Sequence, residues 1–156
     1  MEDRTIVPVY QRPPSAPGGG NPLLTDTDIA FVGNKGSAKS TTMLNMLVRM
    51  MYYTLYHIIY FSSPHVSPEK LNDPNSDYRI LLPLAAAGKV KLYWKFSSEG
   101  DGHSMEEAIE DAKRDPKHPG KYGLFCADDW ADKLCKQTWL TDAFANARHA
   151  MKVRYW

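Results

Sequence analysis

Cysteine is scarce in this chain of 156 residues, where only Cys126 and Cys135 are present. Two thiols cannot build a disulfide framework, and they show no paired metal-ligand spacing. Both are therefore expected to pack as small apolar groups, in a compartment that can be reducing. Net charge is nearly absent as well. Lys and Arg number 19 against 18 Asp and Glu, leaving +1, so no chain-wide field draws in nucleic acid or an anionic membrane, and partners must be argued locally. The first residues lack the basic opening and apolar middle of a secretory signal and carry Glu2, Asp3 and Arg4 instead, which leads us to expect a cytosolic protein. Long apolar runs are missing too. The most apolar window, 43 to 61, is interrupted by Asn45, Arg49 and His57, side chains that are expensive at a bilayer centre, so no membrane partner is expected.

What the chain has in quantity is unevenly placed. Pro8, Pro13, Pro14, Pro17 and Pro22 surround the run Gly18-Gly19-Gly20, a composition that holds no helix and has little to bury. Residues 1–27 are expected to be a flexible tail, either a solvated leader or a docking arm. Residues 28–156 are expected to form one core. It opens with Ile29-Ala30-Phe31-Val32, read as a strand buried on both faces. A helix follows from Ser40 to about Tyr56, with Met43, Leu44, Leu47, Met50 and Met51 at helical spacing. His57 to Phe61 reads as a second strand, parallel to the first through a right-handed crossover. A proline-rich connection with a short helix near 78–87 leads to a half-buried strand at 89–96, expected near an edge, in which Val90, Leu92, Trp94 and Phe96 alternate with Lys91, Tyr93 and Lys95. Ser104 should cap a helix running to Arg114. Tyr122 to Ala127 reads as an apolar strand, Trp139 to Met151 as a helix, and Lys152 to Trp156 as the start of another strand.

Gly33-Asn34-Lys35-Gly36-Ser37-Ala38-Lys39-Ser40-Thr41 lies between the first strand and the first helix. The string follows the phosphate-loop fingerprint, in which glycines let backbone amides curl around phosphates, a lysine reaches the outer oxygens and a hydroxyl holds magnesium. Lys39 and Ser40 take those two roles, and the helix N-terminus adds its positive end. Ala38 stands where a second glycine is usual, and its Cβ is cheap only if the backbone there is close to right-handed helical values. The cofactors expected are thus ATP and Mg²⁺. A phosphate-loop ATPase also needs a carboxylate for the metal and another to orient the attacking water. Asp128 and Asp129, directly after the apolar strand, fit those roles in that order, although Asp-Asp is also an ordinary strand exit. About 95 residues separate Gly33 from Asp128, a spacing that suits the additional-strand branch of such ATPases. The last segment is locally basic, with Lys133, Lys136, Arg148, Lys152 and Arg154 against Asp142. That is either a solvated helix face or a setting in which Arg148 reaches a phosphate; His149 is an orienting neighbour or a packed imidazole.

The loop, the Leu124 to Asp129 strand end and Leu140 to His149 together resemble the genome-packaging ATPases of large double-stranded DNA viruses, the poxvirus-like branch of the FtsK and HerA superfamily. Phe144, Asn146, Arg148 and His149 match that family's Phe-x-Asn-Gly-Arg-His pattern, with Ala147 in place of its glycine. The loop's alanine before the lysine also resembles that of minichromosome-maintenance helicases. The packaging resemblance implies an α/β fold, the three-layer P-loop NTPase sandwich with a mainly parallel central sheet. Here that fold is expected to be incomplete at the C-terminus, since Trp156 comes before the strand that in this family ends in a sensor glutamine. It implies an ATPase with Lys39, Asp129 and Arg148 as catalytic groups, assembled as a homo-oligomeric ring that threads double-stranded DNA into a viral capsid. Capsid or portal components would be its partners, in host cytoplasm, at the site of virus assembly or on the virion. Two alternatives remain, another motor such as a helicase-like ATPase and a non-hydrolysing nucleotide-gated assembly subunit.

Overall fold

A computed structural model describes residues 31–34, 36–52, 56–97, 102–119, 122–130, 133 and 153–155. Its centre is a four-stranded sheet of β1 (Tyr56–Ser62), β2 (Val90–Tyr93), β3 (Tyr122–Ala127) and β4 (Val153–Tyr155), in the spatial order β2-β1-β3-β4. Every pairing is parallel: Ile59 lies opposite Val90 and Leu124, and Leu124 opposite Arg154. Parallel neighbours need crossovers, supplied by helices between β1 and β2 and between β2 and β3, and one more helix precedes β1. These are α1 (Lys39–Tyr52), α2 (Pro68–Leu71), α3 (Leu81–Ala86) and α4 (Met105–Arg114), with a 3-10 turn at Asp77–Ile80. The chain is therefore an α/β protein with a parallel sheet.

Alternation along the strands divides the core in two. Ile59, Phe61, Val90, Leu124 and Cys126 face one side and pack with Met43, Leu44, Met46 and Leu47 of α1. Tyr60, Tyr93 and Phe125 face the other, with Met105, Ala108, Ile109 and Ala112 of α4 and with Trp130. Helices thus cover both faces, as parallel strands require. Ser104 caps α4 by accepting a hydrogen bond from the Glu107 amide at 3.2 Å, while Glu106 and Glu107 sit in the first turn and Lys113 and Arg114 in the last, matching the helix dipole at both ends.

Four sequence expectations change. The run ending at Val32 is not buried on both faces: Phe31 packs against the first cluster, but Val32 is 91% exposed and neither residue is in a strand. Successive residues of an extended chain project to opposite sides, and here only one side is covered. Ile29 and Ala30 lie outside the described residues. Helix α1 begins at Lys39 and ends at Tyr52, and β1 begins at Tyr56, not at His57. Tyr93, assigned to the polar side of its strand, is 2% exposed, because its hydroxyl donates to Asp111 Oδ2 at 2.6 Å and the ring can enter the second cluster without an unpaired polar atom. The connection after β1 is more ordered than its prolines suggest. Pro68 opens α2, where a missing amide costs nothing. β2 lies at an edge of the described sheet, as expected, but runs only from Val90 to Tyr93 within the expected 89–96, and β4 falls within 152–156.

Candidate functional site

The site lies at the C-terminal end of the parallel strands, where open α/β sheets commonly place their ligands. Ser62 of β1 is level with Ala127 of β3, and the Asp128 amide donates to the Ser62 carbonyl at 2.9 Å. The two strands therefore release their following residues side by side. Ser62 and Ser63 are fully buried and Asp128 is 9% exposed. Trp130 Nε1 donates to Ser62 Oγ at 3.0 Å, which anchors the turn beyond the acid pair.

Gly33, Asn34 and residues 36–38 lead into α1 by a tight turn. The Ser37 amide donates to the Asn34 carbonyl at 3.1 Å, and Thr42 to Ala38 at 2.9 Å. A Cβ on Gly33 would come within 2.5 Å of Ser37 Oγ, so the Ser37 side chain would have to shift, while Gly36 has φ +83°, a conformation that favours glycine. Lys39 folds back over the loop, its Nζ donating to the carbonyls of Gly33 at 2.6 Å and Asn34 at 2.8 Å, with Ser37 Oγ at 3.3 Å. An ammonium in the bowl of a glycine-rich turn can exchange these neutral carbonyls for an anion's oxygens.

Ala38 departs from its expected geometry. Its φ is +58°, in the left-handed region rather than near right-handed helical values. For an L-residue that conformation costs roughly 1–2 kcal/mol. Ala38→Gly should relieve the strain but regain backbone entropy worth roughly 0.5–1 kcal/mol in the unfolded chain. The expected result is a net stabilisation of about 0.5–1 kcal/mol, read as a higher urea midpoint at unchanged m-value.

Asp128 sits among three hydroxyls. Ser40 Oγ donates to Oδ1 at 2.9 Å, while Tyr78 and Ser63 donate to Oδ2 at 2.5 and 3.4 Å. Burial, and then the bond to Asp128, push the Tyr78 phenol far above its usual range, so it remains a donor. Asp129 is left-handed at φ +59°, which aspartate tolerates better than most residues, and its side chain is 65% exposed. His65 Nε2 lies 2.6 Å from its Oδ2. The His65 ring in turn stacks on Tyr78, with centroids 5.4 Å apart and planes 26° from parallel.

No protein-family model, curated protein or solved structure matches the chain.

The fold thus brings together Gly33, Asn34, Gly36, Ser37, Ala38, Lys39, Ser40, Thr41, Asp128 and Asp129 at one end of the sheet. Lys35 and Arg148, together with His149 and the helix expected at 139–151, lie outside the described residues. Lys133, counted with the basic segment, has its ammonium over the rings of Trp130 at 5.2 Å and Phe96 at 5.8 Å. Sequence reasoning missed His65 and Tyr78. The signal available was weak: a histidine three residues past the end of a strand, and a tyrosine in a proline-rich connection. Cys126 is fully buried and burial pushes its thiol up, in keeping with a packing role. Among the described residues no group of three or more His, Cys, Asp and Glu side chains could hold a metal by itself, and no helix is long and apolar enough to cross a membrane.

Proposed function

We propose that this chain is a P-loop ATPase in which residues 33–41 hold the triphosphate. What carries the reading is the 2.9 Å hydrogen bond between Ser40 Oγ and Asp128 Oδ1, made across 88 residues of sequence. A hydroxyl at a helix start and a buried carboxylate at a strand end are the hard oxygen pair that magnesium takes when phosphates supply the rest of its shell. Ser40 and Asp128 would hold magnesium there, and the metal would supply neutralisation of phosphate charge. Lys39 Nζ moves from the loop carbonyls to the outer phosphate oxygens. Asp129 orients a water in line with the γ-phosphorus and accepts its proton. A new bond forms from the water oxygen to phosphorus, the bond to the bridging oxygen breaks, and ADP leaves with that electron pair. Arg148 would offset charge on the transferring group, from its own subunit or a neighbour. The fold in this reading is the three-layer P-loop sandwich.

By resemblance, the work done with this energy is movement of double-stranded DNA into a viral capsid by a homo-oligomeric ring. The test is steady-state ATP hydrolysis with and without duplex DNA, beside a strand-separation assay on a forked duplex. Stimulation by duplex without strand separation is the expected result. Unwinding would replace packaging with a helicase-like role, and binding without turnover would leave a nucleotide-gated assembly subunit.

A further inference from the structure

Asp128 and Asp129 are neighbours in sequence but are held by different parts of the fold, and His65 and Tyr78 connect them. The Tyr78 hydroxyl is on Asp128 Oδ2 at 2.5 Å, the Tyr78 ring lies on the His65 ring, and His65 Nε2 is on Asp129 Oδ2 at 2.6 Å. We propose that this stacked pair is a positioning device which transmits occupancy of the Asp128 side of the site to the Asp129 carboxylate. The inference rests on the nucleotide-binding reading above.

Each joint of the linkage is fixed by a separate contact. The backbone at His65 is tied down, since its amide donates to Ser63 Oγ at 3.2 Å and Lys70 Nζ donates to the preceding carbonyl of Pro64 at 2.8 Å. That leaves the imidazole free to respond mainly by side-chain rotation. Tyr78 sits on the 3-10 turn at Asp77–Ile80 and packs edge-on against the buried Phe61, with centroids 6.2 Å apart and planes at 64°. With Asp129 ionised, the short contact requires a proton on His65 Nε2, so His65 donates to Asp129 Oδ2.

The coupling follows from competition at one carboxylate. A phenolic proton pointing at Asp128 Oδ2 occupies a lone pair and presents positive charge to any incoming cation. A magnesium nucleotide that takes Asp128 Oδ1 beside Ser40 would draw negative charge from the carboxylate, weaken the hold of Oδ2 on that hydroxyl and repel its proton, so that the hydroxyl turns away. The phenol cannot move sideways into the core against Phe61, so the ring shifts along its stack with His65. His65 then carries the displacement to Asp129, the group we assign to the attacking water. Without nucleotide, Asp129 is held against His65. With it, Asp129 is re-aimed.

Imidazole resonances in the full chain, measured at fixed pH, report this directly without any need for turnover. The His65 signal is identified by its loss in His65→Asn. Titration of the parent with magnesium and a non-hydrolysable ATP analogue should move that signal in step with saturation of binding. In Tyr78→Phe, which keeps the ring and removes the opposing hydroxyl, the analogue should bind at least as tightly as to the parent. The displacement at His65 should nonetheless fall to less than half. Saturable binding with an unmoved His65 signal, or an equal displacement in Tyr78→Phe, overturns the linkage alone. Failure of the parent to bind the analogue overturns the nucleotide reading and the linkage with it.

Discussion

Lys39→Ala is expected to weaken magnesium-ATP binding by roughly a hundredfold while hardly changing the stability of the fold. The asymmetry follows from where the ammonium sits. In the structure it bonds to the Gly33 and Asn34 carbonyls, and both residues are exposed. When the side chain is cut back, those carbonyls return to water and little is left unpaired in the interior. Net loss from such an exposed pair of contacts should stay near about 1 kcal/mol. The phosphate side has no such refuge. Charge-assisted hydrogen bonds to a polyanion are worth roughly 1.5–3 kcal/mol each, and a loss of about 3 kcal/mol is roughly a hundredfold in Kd. Lys39→Arg should recover little of it, because a planar fork does not fit a bowl shaped for a point charge on a flexible stem. Fluorescent-nucleotide titration beside urea unfolding checks both halves. Equal affinity in parent and variant removes the phosphate loop from this chain.

The glycine loop, the acid pair and the elements α4 and β3 could be read from the sequence because each is written locally. Ser104 with its first-turn acids, and the unbroken run before Asp128, need nothing distant to explain them. Even the face of α1 emerged, since Met43, Leu44 and Leu47 repeat at helical spacing and are buried. The failures share a different origin. Tyr93 looked polar-facing because alternation assigns a residue to a side without knowing whether a partner such as Asp111 will satisfy its hydroxyl. Val32 looked buried because apolar composition cannot say which face acquires a neighbour. His65 and Tyr78 reach the site from 64 and 50 residues away from their carboxylate partners, along a connection whose prolines read as loop. Ala38 was the subtlest. Its identity is plain in the sequence, yet only the backbone reveals the left-handed turn at φ +58°.

Asp129→Asn should leave magnesium-ATP affinity within about threefold of the parent and lower kcat by roughly a hundredfold or more, the range for removing a positioned proton acceptor. The substitution is chosen for what it preserves. Asparagine is nearly the same size, occupies the left-handed region at least as readily as aspartate, and keeps an oxygen that can accept from His65 Nε2. The turn between β3 and Trp130 therefore has no reason to rearrange, and Asp128 with its three hydroxyl donors is untouched. What disappears is the capacity to take a proton from water. A fall in kcat at unchanged affinity locates the loss in the chemical step. A fall in both together points to a structural role for the residue, and retained hydrolysis means that another group activates the water. That last outcome leaves the loop, Ser40 and Asp128 with nucleotide binding intact. It transfers the proton-accepting role elsewhere, and the contact at His65 becomes an ordinary loop closure rather than part of a catalytic site.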